Sequence, residues 1–372
     1  MGKGPAERGR YMHQFLGEHF INLDLMTALQ VVLLGFIGGT LSGFIGSGGA
    51  FFMTPGMMNL GVQGVIAVGS NITHKFGKAM VGSRKHGEMG NVDRKLAIFL
   101  VATSFAGIRL AVWINSRLFA MEGDGHGEAK GAGANLYISL VFVFILSIVA
   151  ISMLRDVWKS SGEETMGPSK KISEFLSRLR LPPMIYFRVA DVKVSLWMLL
   201  LVGLATGYLA GTIGVGGFIG VPAMIYVFGV PTAVAAGTEL FLAMFMGAWG
   251  ALNYAWEGFV DLRLTMLLYL GSLLGIYIGA YGVKVVNEVY IRLVTGLIIL
   301  VCVFSRAVAV PMYLRQLGLL NMNPARDGLF NGASKFLLFV AGFGGVGVIL
   351  YNVFRAHRRR RSIQVVMEYG KT

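Results

Sequence analysis

Four polar side chains interrupt an apolar stretch of this chain. They are Asn71, His74, Lys75 and Lys78, in the segment GSNITHKFGKAMVGSRK at 69–85. The spacing i, i+3, i+4, i+7 puts all four on one face of a helix. Two ammonium groups, an imidazole and an amide on one face form a positive, hydrogen-bonding stripe, which is chemistry suited to a small anion. The imidazole titrates near neutrality, so His74 is also a candidate for coupling to protons.

The surroundings of the stripe fix its solvent. Of 372 residues, 55% are hydrophobic and 14% charged, where a soluble domain carries about 25% charged. Apolar runs at 25–58, 96–108, 134–154, 194–260, 264–283 and 293–305 match the roughly 20 residues that span a bilayer. The chain is therefore expected to be an all-α polytopic membrane protein. Lys75 and Lys78 precede Arg84, at the polar end of the segment, by nine and six residues. At about 1.5 Å per residue, Lys78 reaches the interface, Lys75 reaches it in part, and His74 and Asn71 do not. Ionisable groups at that depth line a pathway or pair with each other. The competing reading of Lys75 is an ion pair with Glu239. The single cysteine, Cys302, lies inside an apolar run and forms no intrachain disulfide.

The chain is doubled. Residues 35–96 align without gaps on 203–264 at a constant offset of 168, with 17 of 62 positions identical. GFIGGTLSGFIGSGG matches GLATGYLAGTIGVGG, GVQGVIAVGSN matches GVPTAVAAGTE, and GNVDRKL matches GFVDLRL. Internal duplication is a habit of secondary transporters. At the places of the stripe the second copy has Glu239, Leu242, Ala243 and Met246, so the stripe exists once.

A Gly-rich GxxGxGG turn, a Pro a few residues on, then A-x-G-T/S and G-x-V-D, all twice over, resembles the TauE/SafE permeases, also called toluene sulfonate uptake permeases. The resemblance covers roughly 25–306. It implies a secondary carrier for sulfite, sulfoacetate or other sulfonates. The chain departs from the pattern at Asn71 and Glu239, where the family usually has Ser, and in an additional C-terminal span.

Each repeat holds a Gly-Gly break and a short apolar piece, 50–60 and 218–229. Lys and Arg collect on the cytoplasmic side. Counting the short pieces as half-helices gives five elements per repeat and places RKHGEMGNVDRK, the linker and the tail inside, with the acidic loop 119–133 outside. The expected architecture is two inverted Gly-rich helical repeats with broken half-helices, plus one extra C-terminal transmembrane helix. The segments are 1–24 with an interfacial helix at 11–23, repeat 25–154, basic linker 155–193, repeat 194–308, loop 309–333, extra helix 334–354 and an Arg-rich tail 355–372. The N-terminus is expected outside and the C-terminus in the cytoplasm, in a bacterial inner membrane.

Glycines at the breaks free the backbone, and a new helix then starts with unpaired N–H groups that attract anions. On that ground Ser47, Gly48, Gly49, Gly216 and Gly217 join Asn71, His74, Lys75 and Glu239 as substrate-binding candidates. Close helix packing is the other reading of such glycines, and it is preferred for Gly35, Gly39 and Gly43. Ser70 and Thr238 can donate to an oxyanion or bond their own backbone. Lys78 and Arg109 are secondary candidates. Arg109 lies eight residues from Arg117 and can snorkel or pair. A small anionic substrate, a proton or sodium as coupling ion, and anionic lipid at the basic linker and tail are the expected partners. No nucleic acid, metal or other cofactor is expected. There is no His/Cys metal spacing, nucleophile elbow or paired intramembrane carboxylate, which disfavours an enzyme. A non-transporting partner or sensor on the same fold remains the alternative.

Overall fold

The computed structural model describes residues 21–369, apart from 22, 46–48, 121–130, 160–180, 215, 284–285 and 287. The first repeat contains α1 (Leu25–Ile45), α2 (Ala50–Asn59), α3 (Gly64–Glu88), α4 (Arg94–Ala120) and α5 (Ala132–Lys159). A hairpin follows, β1 (Met184–Phe187) paired antiparallel with β2 (Val192–Ser195). The second repeat contains α6 (Leu196–Ile213), α7 (Gly217–Pro222), α8 (Thr232–Trp256), α9 (Leu262–Val283) and α10 (Glu288–Gln316). The last helix is α11 (Asp327–Tyr369). Eight of these are long and apolar enough to cross a membrane: α1, α4, α5, α6, α8, α9, α10 and α11. The protein is all-α and polytopic. At 25 residues α3 has the length, but its polar stripe and basic end keep it out of that group.

Helix directions fix the symmetry. α1 and α9 run side by side in the same sense, with Gly35 on Leu268, Gly39 on Ser272 and Gly43 on Ile276. α6 and α4 repeat the contact with the halves exchanged, Gly203 on Leu100, Gly207 on Ser104 and Gly211 on Ile108. A Cβ at any of these glycines would crowd the facing helix, so the small residue is what permits the approach. The equivalent helices α3 and α8 run antiparallel: Ile72 meets Gly250, Phe76 meets Gly247, and His86 meets Gly237. Equivalent helices of opposite sense require a two-fold axis perpendicular to them, in the membrane plane. The repeats are inverted.

The half-helices double back. α2 starts with Gly49 against the Gly38 carbonyl, seven residues short of the end of α1, so it begins roughly 10 Å in from that end. Its counterpart α7 starts with Gly216 beside Ala210 and the Thr206 carbonyl. Pro222, which has no N–H to donate, ends α7, and Ala223–Val227 continue as a π-turn. Gly214 ends α6 at φ +78, in the left-handed region where glycine has no Cβ penalty.

Reciprocal staples join the halves. Ser70 Oγ accepts from the Asp261 amide at 3.1 Å, and Thr238 Oγ1 accepts from the Asp93 amide at 3.0 Å. A Cβ at Gly69 would overlap the Phe259 carbonyl, and one at Gly237 the Asn91 carbonyl. Each A-x-G-T/S segment thus clasps the G-x-V-D corner of the other repeat. Each aspartate also caps the helix that follows it, Asp93 on Leu96 N and Asp261 on Leu264 N.

Several boundaries differ from the sequence expectation. α5 runs on to Lys159, and the linker holds the hairpin, whose turn donates Val189 and Ala190 amides to Asp93 Oδ2 at 3.0 Å each. α10 continues beyond 308 to Gln316, and α11 begins at Asp327 and continues beyond 354 to Tyr369. Hydropathy marks only the part of a helix inside the apolar layer, and Arg, Lys and Gln extend helices readily into water. The interfacial helix proposed for 11–23 and most of the acidic loop fall outside the described residues, apart from 21 and 23 and the loop's ends.

Candidate functional site

A cavity opens where α1, α2, α3 and α8 meet, lined by Ser42, Ala50, Met53, Asn71, His74, Lys75, Lys78, Ala79, Glu239, Leu240 and Ala243. Its volume of about 40 Å³ is room for a few waters or one small ion. All four residues of the stripe are in the wall. The 3.6-residue period of α3 brings them to one face, and the antiparallel packing of α8 closes the opposite side with Glu239 and Ala243.

The polar groups are held from several elements. Asn71 donates through Nδ2 to the Ala50 carbonyl at 3.1 Å and to Thr54 Oγ1 at 2.8 Å, both on α2. Thr54 passes the contact on to the Ile213 carbonyl of α6 at 3.2 Å. His74 Nε2 is 2.7 Å from Ser272 Oγ on α9, and its ring lies 4.6 Å from that of Tyr269. Lys78 Nζ donates to Ser42 Oγ on α1. Lys75 and Glu239 act electrostatically on one another, yet neither carboxylate oxygen of Glu239 takes a hydrogen bond among the described residues. Glu239 is 4% exposed, and its Oε2 packs against Gly220 of α7, where a Cβ would collide with it. Ala50, at the amino end of α2, adds the positive end of a helix dipole to the wall.

Other sequence candidates stand elsewhere. The hydroxyls of Ser70 and Thr238 are in the corner staples, outside the cavity wall. Gly49 is buried against the backbone of the preceding helix, Gly216 against the side chains of Ala210 and Met246, and neither lines the cavity, so their smallness serves the reversal of the chain. Gly217 is buried and also absent from the wall. Ser47 and Gly48 lie outside the described residues. Arg109 bonds Asn253 Oδ1 at 3.2 Å and pairs with Glu257 at 3.6 Å, its side chain 54% exposed. Among the described residues no cluster of three His, Cys, Asp or Glu is placed to hold a metal.

Residues 31–306 match the family described as Sulfite exporter TauE/SafE. This chain belongs to the TauE/SafE family. Relatives of this TauE/SafE protein in Bacillus subtilis (strain 168) are described as probable membrane transporters. YjnA is 27% identical over 256 residues, 68% of this chain and 89% of that protein. YdhB is 23% identical over 271 residues, covering 71% and 94%. YunE is 22% identical over 264 residues, covering 68% and 88%. No solved structure matches the chain.

The TauE/SafE match ends at Arg306, and there the structure holds a cluster that sequence reasoning passed over. The Arg306 guanidinium of α10 is 1% exposed and donates to Asn59 Oδ1 at 3.2 Å and Tyr313 OH at 2.9 Å. Asn59 is the last residue of α2, so the cation sits at the negative end of the half-helix dipole. Ser334 of α11 donates to the same Asn59 oxygen at 3.1 Å. The helix outside the family match is thereby tied to the half-helix that lines the cavity. The signal was present, since Arg306 is a charge in an apolar run like Arg109, but its partners are distant in sequence. Asn115 and Tyr254 were likewise unforeseen. Tyr254 OH donates to the Gly211 carbonyl at 2.6 Å, and Asn115 reaches Thr212 O at 3.4 Å. Both satisfy carbonyls freed where α6 ends.

Proposed function

We propose that this protein is a secondary transporter of small sulfur oxyanions, sulfite or a small organosulfonate, working by alternating access. The observation that carries the reading is the cavity wall, where Lys75, Lys78, His74 and Asn71 converge opposite Glu239 in a protein whose relatives are described as probable transporters. Two ammonium groups and an imidazole in this wall supply charge-assisted hydrogen bonds to an oxyanion, and Asn71 positions the amino end of α2 beside it. A volume of about 40 Å³ favours a compact anion over an aryl sulfonate. Inverted repeats supply two similar arrangements that exchange sides around a fixed centre.

The Lys/Arg distribution supports an inner-membrane orientation with the N-terminus outside and the C-terminus in the cytoplasm. The basic linker and the arginines of the tail would then meet anionic lipid. A proton or sodium ion is the coupling partner. The reading is tested with purified protein in liposomes, where sulfite or methanesulfonate flux above that of empty vesicles is expected. Absence of flux with every small sulfur oxyanion would sink it. Orientation is tested separately, with an impermeant thiol reagent on intact cells. The native Cys302 is buried, so a cysteine introduced at Gly125 should react, and one at Ser160 or Ser362 should not.

A further inference from the structure

Glu239 and Asn71 occupy the same place in the two repeats, and the structure shows what that place asks for. Asn71 uses its N–H donors, bonding the Ala50 carbonyl and the Thr54 hydroxyl of half-helix α2. The equivalent carbonyl for Glu239 is that of Phe218 in α7, and Thr54 is replaced by Pro222, which offers no hydroxyl. An ionised carboxylate only accepts hydrogen bonds, whereas a protonated one has an O–H to donate. In the structure Glu239 leans on α7 at Gly220, with neither oxygen hydrogen-bonded among the described residues. A buried carboxylate without donors must find a counter-charge or take a proton.

The charged and titratable groups that face Glu239 come from one side. α3 presents Lys75, whose charge acts on it, with His74 and Lys78 in the same wall. α7 presents Gly220, and α6 presents Thr206, whose hydroxyl also has no partner among the described residues. Neither residue is titratable. α1 and α2 contribute Ser42, Ala50 and Met53 to the cavity. Lys75 is therefore the cation that both an ionised Glu239 and an incoming anion would claim.

We propose that Glu239 is the proton site of this carrier, a reading that rests on the anion-carrier function above. In the empty site the ionised carboxylate neutralises Lys75. An entering anion takes Lys75, and a proton adds to Glu239. The new O–H then bonds the half-helix α7, as the amide of Asn71 bonds α2. One anion and one proton enter together, and the charge in the cavity is unchanged by their joint arrival. Anion and proton therefore travel in the same direction.

The test uses full-length protein in detergent and methanesulfonate, the conjugate base of a strong acid, whose charge does not change over the pH range of the experiment. Wild-type affinity should rise on acidification, by up to about tenfold per pH unit for one linked proton. Binding in weakly buffered solution should take up about one proton per anion. Glu239→Gln keeps a donor in place of the proton and should bind with affinity that no longer changes with pH. His74→Gln, run beside it, should retain the pH dependence. Wild-type binding without proton uptake overturns the proposal, and so does a pH dependence that survives in Glu239→Gln or vanishes in His74→Gln. The proton-uptake measurement decides the matter if Glu239→Gln fails to fold. Wild-type protein that binds no anion at any pH fails the carrier reading itself, an outcome distinct from binding without a proton.

Discussion

Ser70 and Thr238 stand 168 residues apart and perform the same task, each clasping the corner of the opposite repeat. Lys75 and Ala243 stand 168 residues apart in the same cavity wall and share no chemistry. The glycine contacts between α1 and α9 are repeated between α6 and α4, carbonyl for carbonyl. What the duplication preserves is the machinery by which two halves grip each other. What it has not preserved is the face toward the cavity, where one repeat is cationic and the other offers a carboxylate and apolar side chains. A symmetric frame can present two similar conformations, while one substrate in one cavity needs only one set of ligands.

The half-helices differ in the same way. α2 is held at its carboxyl end by Arg306 and, through Asn59, by Ser334. α7 dissolves into a π-turn at Ala223–Val227, and position 138, which corresponds to Arg306, is Ile. The arginine anchor at the carboxyl end of one half-helix thus has no counterpart at the equivalent position of the other repeat.

Seven substitutions would break or sharpen this contrast. The largest expected effect is Lys75→Met, which removes the main counter-charge of a desolvated anion. Affinity should fall about a hundredfold, equivalent to roughly 3 kcal/mol, with the melting temperature retained. A calorimetric titration showing near-normal affinity would make the stripe structural. Gly69→Ala and Gly237→Ala come next. Each forces a Cβ into a carbonyl of the opposite repeat, so each should destabilise by about 2–3 kcal/mol. Equivalence is the prediction, and a thermal melt in which only one variant suffers would break the symmetry of the frame. Gly49→Ala belongs with them, because its Cβ meets the Gly38 carbonyl, and loss of stability should accompany any loss of affinity.

Arg306→Met should destabilise by about 2 kcal/mol through lost charged hydrogen bonds. Proteolysis or hydrogen exchange should find the loosening concentrated in α2 and the start of α11. An even loosening across the molecule would separate the cluster from the half-helix. The smallest pair is Ser70→Ala and Thr238→Val, each about 1 kcal/mol, with no change in anion affinity. A clear affinity loss in either would return its hydroxyl to the substrate.

Much of the architecture was legible beforehand, because its signals are local or periodic. Apolar runs mark spans, a fixed offset of 168 marks the duplication, and Lys/Arg asymmetry suggested inversion, which the antiparallel packing of α3 and α8 shows directly. The stripe was readable for the same reason, since a period of 3.6 residues needs no tertiary information to define a face. Its composition and place in an apolar segment determined that a polar, positive surface would be kept inside the protein.

The tertiary structure alone decided what each polar group meets. Ser70 looked equally able to bind an oxyanion or a backbone, and its partner, the Asp261 amide, lies 191 residues away. The Gly-rich breaks looked like ligand cradles, and the carbonyl that excludes a side chain at Gly49 belongs to the helix that the chain doubles back along. Arg306 was not among the sequence candidates, and its role emerges only where α2 packs against it. Hydrogen-bond partners and steric contacts act over a few ångströms in space and carry no fixed spacing in sequence. Composition and periodicity could therefore place the polar groups inside the membrane, but the division between those that hold the halves together and those that face the cavity was made by packing.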